Sequence, residues 1–483
     1  MSGIQSIASY VPRFCMQRQT IAAQLSWFDP GLKSQAMGSR SVANWDEDAI
    51  TMAVAAGRTC CAQAGKTPQN LVFATTTAPF LDRSNATLIV EALSLPAETS
   101  TAESSGSQRA ASSALLSGLR AATPMLLAAS DRRGAKPGSA RELSFGDAAA
   151  AVLIGADDGL ARFLGGATLA SDFVDHYRTA EQDTDYVFED RWVRDVGSTG
   201  LIPQTVAQAA ADAERKVADI DHLLLPIAGH HAKAVVKSLG LQLDVLGNNL
   251  FAELGDSGVG HGLLMLDECL RGAKAGELVC LVGFGQGCDA MLFEVTNTQL
   301  TDGESPSSQA GSAMELADYL KLPAFSRQLT LASGIRAEAD KRTSISAFYR
   351  HHHAVNAMQG SVCTACDTPH FPPARVCVNC HATDQMSDYP FADKVATVKS
   401  FTEDWQTATP SPPMCYGNVE FEGGGNAFLE LSDVPLGSLQ VGDQLAMQFR
   451  IKDFDDKRGF RRYFWKPVPM TVNTSNDDGA SNG

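Results

Sequence analysis

The stretch TSTAESSGSQRAASSALLSGL, residues 99–119, contains the feature around which the rest of the chain is organised. Small residues lead to Gln108, which opens a segment whose Ala, Leu and Ser spacing predicts a tightly packed helix. A side chain at that junction lies at a helix N-terminus, where unpaired N–H groups and the helix dipole stabilise a developing anion. The stretch therefore predicts either a nucleophile or oxyanion site, or an ordinary serine N-cap on a core helix.

Composition indicates a globular, acidic protein. The chain has 483 residues, 44% of them hydrophobic, and a formal net charge of -16. Length alone allows about three domains, and the negative charge opposes binding of nucleic acid or an anionic membrane by the molecule as a whole. No apolar run reaches the roughly 18 residues that span a bilayer, and the N-terminus lacks a signal-peptide layout. We therefore expect a cytoplasmic protein without membrane association.

An internal duplication is indicated by two glycine turns that each precede a small, apolar strand. Phe145-Gly146-Asp147 leads into AAAAVLIG, and GFGQGCD, residues 283–289, leads into AMLFEV. Helix and strand patterns alternate before both turns. These repeats predict two mixed α/β halves, residues 1–160 and 161–335, each the size of one ordinary domain.

The cysteines of GSVCTACDTPHFPPARVCVNCHATD have the spacing of a metal site. Cys363, Cys366, Cys377 and Cys380 form two CxxC pairs, and each pair supplies two thiolates to one ion. A closed four-sulfur site predicts structural zinc. The surrounding organisation predicts a helical lead-in and zinc ribbon over 336–385, a small β-barrel over 386–470 and a disordered tail over 471–483.

Six stretches together resemble the thiolase superfamily, in its hydroxymethylglutaryl-CoA synthase and ketoacyl-ACP synthase III branch: NWDEDAITMAVAA, AESSGSQRAASSAL, FGDAAAAVLIG, the DFVDHYR and YVFEDRWVRDVG run, GDSGVGHGLLMLDE and VGFGQGCDAMLFEV. They occur in the family's order within residues 1 to about 335. The resemblance implies a duplicated αβαβα five-layer core, a homodimer, and a tunnel that brings the pantetheine arm of an acyl-CoA or acyl-carrier thioester to a buried nucleophile.

The C-terminal part, from FYRHHHAV through the ribbon and barrel, resembles the rubredoxin-like zinc ribbon plus OB-fold domain that accompanies thiolase-like enzymes. That resemblance implies an acyl-CoA-associated role and makes another thiolase-like chain a candidate partner. Basic and aromatic residues in FRIKDFDDKRGFRRYFWKP suit either the phosphates of CoA or single-stranded nucleic acid. We favour CoA, because the thiolase-like half gives a reason for it.

The chain departs from the family at every catalytic position. The family uses a cysteine nucleophile, a histidine, an asparagine and, in the synthase branch, a glutamate. Matching the nucleophile motif by its small residues places Ser104 at the cysteine, whereas matching its Ala-Leu pair places Gln108 there. The other positions carry Asp256 for the asparagine, Thr76 for the glutamate and Pro226 for the histidine, with His230 or His231 as shifted candidates.

These departures leave open both the identity of the catalytic group and the overall function. A serine hydroxyl needs a neighbouring base and a glutamine amide is not a nucleophile, so a relay of Ser104, a histidine and Asp256 is one alternative. Gly285, Gly287 and His261 are candidates for thioester binding, although a histidine between glycines also suits a packed position.

We expect an enzyme that forms or cleaves a carbon–carbon bond in a thioester. The alternatives are a retro-aldol lyase acting on a 3-hydroxyacyl-CoA and a non-catalytic thioester-binding or scaffold subunit.

Overall fold

The computed structural model describes residues 2–156, 159–297, 303–332, 334–335 and 344–470. Two compact units, Met1–Leu329 (unit 1) and Thr330–Gly483 (unit 2), make up the chain. The predicted disordered tail, 471–483, lies outside the described residues. Within the described ranges, no helix has the length and apolar character needed to cross a bilayer.

Unit 1 begins with a first half built from β1 (Gly3–Tyr10), β2 (Phe14–Gln17), α1 (Arg18–Leu25), β3 (Ser39–Val42), α2 (Ala49–Ala64), β4 (Asn70–Ala74), α3 (Asn85–Ala92), β5 (Ser100–Ser104), α4 (Ala110–Ala121), β6 (Met125–Asp131), α5 (Ala140–Ser144) and β7 (Ala148–Gly155). The rest comprises β8 (Ala161–Ala170), β9 (His176–Tyr177), β10 (Tyr186–Val187), α6 (Asp190–Trp192), a π-helix (Val193–Leu201), α7 (Ile202–Asp212), β11 (His222–Leu224), α8 (Gly229–Leu239), α9 (His261–Gly272), β12 (Leu278–Phe284), β13 (Gly287–Val295), α10 (Pro306–Gly311), β14 (Met314–Glu315) and α11 (Lys321–Phe325).

The sheet order confirms the predicted duplication. The large sheet has the order β11-β12-β13-β8-β1-β7-β6-β4-β5. Only the strands of this sheet are counted here. From the centre outward, each half then has its first strand (β1 or β8), its last (β7 or β13), its next-to-last (β6 or β12) and its second (β4 or β11). The pairing directions also match, with the outer pair parallel and the two inner pairs antiparallel in both halves. β5 is an additional edge strand of the first half.

The helices complete the predicted five layers. α2 packs on β1, β6 and β7, and α7 packs on β8, β12 and β13. α4 and α9 form the middle layer, because each contacts strands of both halves. Ala148 to Ala151 of β7 are fully buried, and their small side chains allow helices to approach the sheet closely.

The 99–119 stretch folds differently from its simplest prediction. Ser100–Ser104 is a strand, and the helix begins at Ala110 rather than at Gln108. Ala110 N–H donates to the Ser107 carbonyl, closing the turn that precedes the helix. Gln108 therefore lies next to the helix N-terminus, whereas Ser104 lies at the end of a strand.

Unit 2 contains α12 (Ile345–Asn356), β15 (Gln359–Cys363), β16 (Pro369–His370), β17 (Met386–Pro390), β18 (Ala396–Asp404), β19 (Met414–Phe421), β20 (Asn426–Glu430), β21 (Gln444–Asp455) and β22 (Phe460–Pro469). The first three strands form the ribbon, and the others form a sheet of order β20-β19-β18-β21-β22. In the described residues no ladder closes this sheet into a barrel. Its two edges nevertheless approach each other, since Ser432 N–H donates to Pro467 O and Lys466 pairs with Glu430.

Candidate active site

A small cavity of about 20 Å³ lies beside the N-terminal end of α4. Residues of both halves line it: Gln108, Ala111, Ser112, Pro226, Asp256, Gly258, Val259, Gly262, Leu263, Leu281, Val282, Gly283 and Phe284. Three of the positions at which the chain departs from the family, 108, 226 and 256, thus share one cavity. Polar and apolar surface contribute about equally to the lining, and the polar groups determine what can be oriented there.

The Gln108 amide is held by a buried arginine. With its oxygen turned towards Arg133, Gln108 accepts hydrogen bonds from Nη2, at 2.9 Å, and from Nη1 of the guanidinium. The opposite amide orientation would set an amino group against these donors, so the hydrogen-bond network assigns the oxygen to this side. The Nε2 group of Gln108 is therefore a hydrogen-bond donor at the cavity.

Arg133 connects Gln108 with two carboxylates. Its guanidinium lies 2.6 Å from Asp185 and 3.1 Å from Asp256, and it stacks 3.9 Å over the ring of Phe145. Burial is the largest single effect and favours the neutral form of Asp256, but the Arg133 charge, His261 and the Gly258 N–H together outweigh it and lower the pKa of Asp256. Likewise, burial opposes the charge of Arg133, while the carboxylates raise its pKa overall. The site thus holds a fixed cation and an ionised carboxylate.

A glycine loop between β12 and β13 packs directly against the residues that precede α4. Ser107 Oγ donates a hydrogen bond of 2.5 Å to the Gly285 carbonyl. A Cβ at Gly285 would lie 2.9 Å from Ser107 Oγ, and one at Gly287 would lie 2.2 Å from the Leu169 carbonyl oxygen. These contacts give both glycines a packing role that fixes the loop beside Gln108, and their predicted role in thioester binding stays a prediction.

The four ribbon cysteines fit one zinc ion. Sγ of Cys363 lies 3.6 Å from Sγ of Cys380, Sγ of Cys366 lies 3.5 Å from Sγ of Cys377, and all four sulfurs lie within 4.8 Å of one another. A tetrahedral site with Zn–S bonds of about 2.3 Å needs sulfurs roughly 3.8 Å apart. Asn379 also donates from its backbone to Cys377 Sγ, which supports a thiolate at that position.

Both resemblances, to hydroxymethylglutaryl-CoA synthases and to a rubredoxin-like zinc ribbon, are supported by comparison with known proteins. The chain is 26% identical over 359 residues to the hydroxymethylglutaryl-CoA synthase of Aeropyrum pernix, covering 70% of this chain and 93% of that protein. Identity to the Archaeoglobus fulgidus synthase is 28% over 341 residues, covering 66% of this chain and 96% of that protein. Residues 360–385 match the family model of the ChsH2 rubredoxin-like zinc ribbon domain.

Solved structures place the fold of unit 1. The 3-oxoacyl-(acyl carrier protein) synthase III of Pseudomonas aeruginosa PAO1 superposes with a TM-score of 0.55 at 20% identity, covering 61% of this chain and 98% of that one. A hydroxymethylglutaryl-CoA synthase complexed with CoA gives 0.54 at 17% identity, covering 65% and 88%. Unit 1 has a thiolase-like fold, and unit 2 contains a ChsH2-type zinc ribbon. The ribbon's four cysteines hold structural zinc.

The predicted Ser104 relay is not formed. Ser104 Oγ donates to the Ala110 carbonyl at 3.0 Å. His230 and His231 instead face Asp190, with Nε2 to carboxylate distances of 3.2 and 2.9 Å, and neither lines the cavity. The expectation of a shifted histidine beside Ser104 is therefore wrong. Both histidines lie in the first turn of α8, where His231 is buried and His230 is exposed.

Thr76 is committed to a buried aspartate. Its N–H and Oγ1 donate to the Asp131 carboxylate at 2.7 and 3.0 Å, and Thr75, Thr77 and Val259 also donate to it. Asp131 is fully buried at the end of β6. This arrangement joins the end of β4 to the loop before α9, so Thr76 occupies a structural position rather than that of an acid or base.

His261 is also engaged on both ring nitrogens. Nε2 lies 2.7 Å from the Asn249 carbonyl and must donate, while Nδ1 accepts from Ser257 N–H at 3.2 Å. Burial lowers the pKa of His261, although the Asp256 carboxylate opposes this shift. The ring is neutral, 1% exposed and stacked on Phe251. It therefore offers no nitrogen to a thioester, which agrees with the packed alternative.

The sequence analysis missed Arg133, Asp131 and Asp185. The first two lie in SDRRG, directly after the buried strand PMLLAAS. Charged residues at the end of a buried strand require partners, and this signal marks the position although it does not identify those partners. Asp185 had no comparable signal, because it lies in a polar segment remote from Arg133 in sequence.

Proposed function

We propose that the thiolase-like unit binds an acyl-CoA or related thioester at the Gln108 cavity and forms or cleaves a carbon–carbon bond without an acyl-enzyme intermediate. The likeness to hydroxymethylglutaryl-CoA synthases supports thioester chemistry. The absence of an acyl-enzyme intermediate is inferred from the cavity lining, which contains neither cysteine nor histidine among the described residues. Gln108 is not a nucleophile, and Ser112 Oγ is hydrogen-bonded to Asp289 at 2.8 Å.

The remaining polar groups suit an enolate-forming reaction. The Nε2 group of Gln108 would donate to the thioester oxygen, and the adjacent start of α4 would add the positive end of its dipole. The Asp256 carboxylate would accept a proton from a substrate hydroxyl. Arg133 would position both groups without contacting the substrate, because its guanidinium is already occupied by Gln108, Asp185 and Asp256.

Within this proposal, retro-aldol cleavage of a 3-hydroxyacyl-CoA is favoured. Asp256 takes the proton of the C3 hydroxyl, the C2–C3 bond breaks, and an aldehyde or ketone leaves. The electron pair of that bond becomes a thioester enolate, and the proton held by Asp256 is returned to C2, which gives a shorter acyl-CoA and restores the carboxylate. A carboxylate with a low pKa suffices, because the hydroxyl proton becomes strongly acidic as the carbonyl forms. The same groups would catalyse the reverse aldol addition.

Incubation of the full chain with acyl-CoAs and 3-hydroxyacyl-CoAs tests this proposal. We expect release of a carbonyl compound and a shorter acyl-CoA, with no change in intact protein mass. Asp256→Asn should lower the rate by about 10²-fold or more, whereas Asp195→Asn, a change at an exposed aspartate, should not. Formation of a covalent acyl adduct on the protein would contradict the proposed reaction, which has no acyl-enzyme intermediate. CoA binding without turnover of any substrate would favour the non-catalytic alternative.

We also infer a homodimer formed through unit 1. β5 is an edge of the large sheet, and most of its residues are exposed. An edge strand can pair with the same strand of a second copy. Light scattering of the purified chain should give twice the mass of 51.3 kDa, and a monomer at micromolar concentration would contradict this inference.

A further inference from the structure

We propose that Asp190, His230 and His231 form a divalent transition-metal site on unit 1, separate from the Gln108 cavity and from the ribbon. The Nε2 atoms of both histidines face the same carboxylate, at 3.2 Å and 2.9 Å. The three ligand atoms all lie within 4.8 Å of one another. Two imidazoles and one carboxylate are a ligand set typical of zinc, cobalt and similar ions, with open positions for water.

The ligands are already held close to their binding positions. The His231 side chain is only 4% exposed, and its ring lies 4.1 Å from that of His230, measured between centroids. His231 Nδ1 is buried and has no hydrogen-bond partner among the described residues. Only the Nε2 side of this buried ring is therefore engaged, and it points to Asp190. A metal ion at Nε2 would take the place of the proton shared there, and the ring proton would then lie on Nδ1.

Neighbouring charges leave the carboxylate available. Arg194 pairs with Asp195 at 2.8 Å, and Arg191 approaches Glu189 at 3.9 Å, so the nearby cations have their own acidic partners. Asp190 accepts only from the two imidazoles among its described hydrogen bonds. With neutral histidines the cluster carries one negative charge, which attracts a cation.

The site would join two segments that flank the cavity. Asp190 begins α6 and is followed by the π-helix, whereas both histidines lie in the first turn of α8. The π-helix packs at Gly197 against Phe284, a residue of the cavity wall; a Cβ at Gly197 would lie 2.6 Å from that ring. Metal bound at Asp190 would therefore hold this wall segment against α8.

Cobalt titration of the untagged full chain tests the proposal. The ribbon is first loaded with Zn²⁺, and residues His351, His352 and His353 are replaced by alanine to remove a competing histidine run. We expect one additional Co²⁺ per chain, with an absorption spectrum free of thiolate charge-transfer bands. His230→Ala, His231→Ala and Asp190→Asn should each weaken its binding about tenfold or more.

His222→Ala is the matched control, because His222 is a partly exposed histidine paired with a carboxylate, Glu277, at 2.8 Å. It should leave Co²⁺ binding unchanged. His230 is 66% exposed, so its alanine variant should fold normally, which far-ultraviolet circular dichroism checks. Absence of a second cobalt equivalent, or equal binding by the His230→Ala variant and the parent, would overturn the site.

Discussion

Replacing Arg133 with methionine should destabilise unit 1 by about 3–5 kcal/mol, the cost of removing one partner from a buried ion pair. The Arg133 and Asp185 side chains are only 2% and 3% exposed. Methionine retains apolar volume beside Phe145 but leaves the carboxylates without this cation. Arg178 remains 2.6 Å from Asp185, so the uncompensated charge falls mainly on Asp256, which is 19% exposed. We therefore expect the lower end of the range.

Urea unfolding measures this loss, with hydrogen exchange of the buried strand β6 as the reporter of unit 1, because the two units need not unfold together. Adding Asp256→Asn removes the unpaired charge and should recover part of the stability. Arg194→Met, which breaks an exposed pair, should cause no measurable change. A loss below about 1 kcal/mol for Arg133→Met, or no recovery in the double variant, would refute the proposed coupling.

Three further predictions concern the ribbon cysteines, Gln108 and Asp256. Chelation of zinc, or Cys363→Ser, should unfold the ribbon as seen by hydrogen exchange over 360–385, while unit 1 keeps its urea midpoint; a ribbon that stays protected contradicts this expectation. Gln108→Cys should acquire an acyl adduct from acyl-CoA, detected by intact mass, because a helix N-terminus lowers a thiol pKa. Ser104→Cys, at the end of a strand, should not acquire one. The reverse result would favour the register that places Ser104 at the family's cysteine. Because the folded pKa of Asp256 lies below its unfolded value, its stabilising contribution should be complete above about pH 4 and be lost as the pH falls through the folded pKa. Urea midpoints measured against pH should show this slope, and Asp256→Asn should flatten it.

The fold was predictable because its signals are local and repeated. The turns at Phe145-Gly146-Asp147 and at residues 283–289 each precede a buried strand, and this repetition indicated the duplication that the sheet order confirms. The CxxC pairs indicated zinc, since a metal ion requires a fixed ligand type and spacing. Neither inference depended on knowing which distant residues meet.

The register of the nucleophile motif could not be predicted, because β5 lacks a strand pattern. Its sequence is STAES, and its residues are exposed or half-buried at the sheet edge, so no alternation of apolar side chains marks it. Without that strand, Ser104 and Gln108 are equally acceptable at the helix junction. The structure separates them by ending β5 at Ser104 and starting α4 at Ala110.

Long-range charge pairing was beyond the sequence for a different reason. Arg133 lies 123 residues from Asp256, and Asp190 lies 40 residues from His230, so spacing along the chain gives no sign of either contact. Only the layered core brings the end of β6 to the loop before α9. For Arg133 and Asp256, burial then favours pairing strongly, because an unpartnered buried charge is costly.

Gln108 and Asp256, two positions that the resemblance matches to catalytic residues, are physically coupled, because both side chains bond to Arg133. A cysteine at position 108 would accept weaker hydrogen bonds from the guanidinium than an amide oxygen does, and an asparagine at position 256 would not neutralise its charge. A subunit kept only as a scaffold gains nothing from such a network, since apolar residues of similar volume often stabilise a buried site equally well. The satisfied network beside the cavity therefore supports the proposed catalytic site over the scaffold alternative.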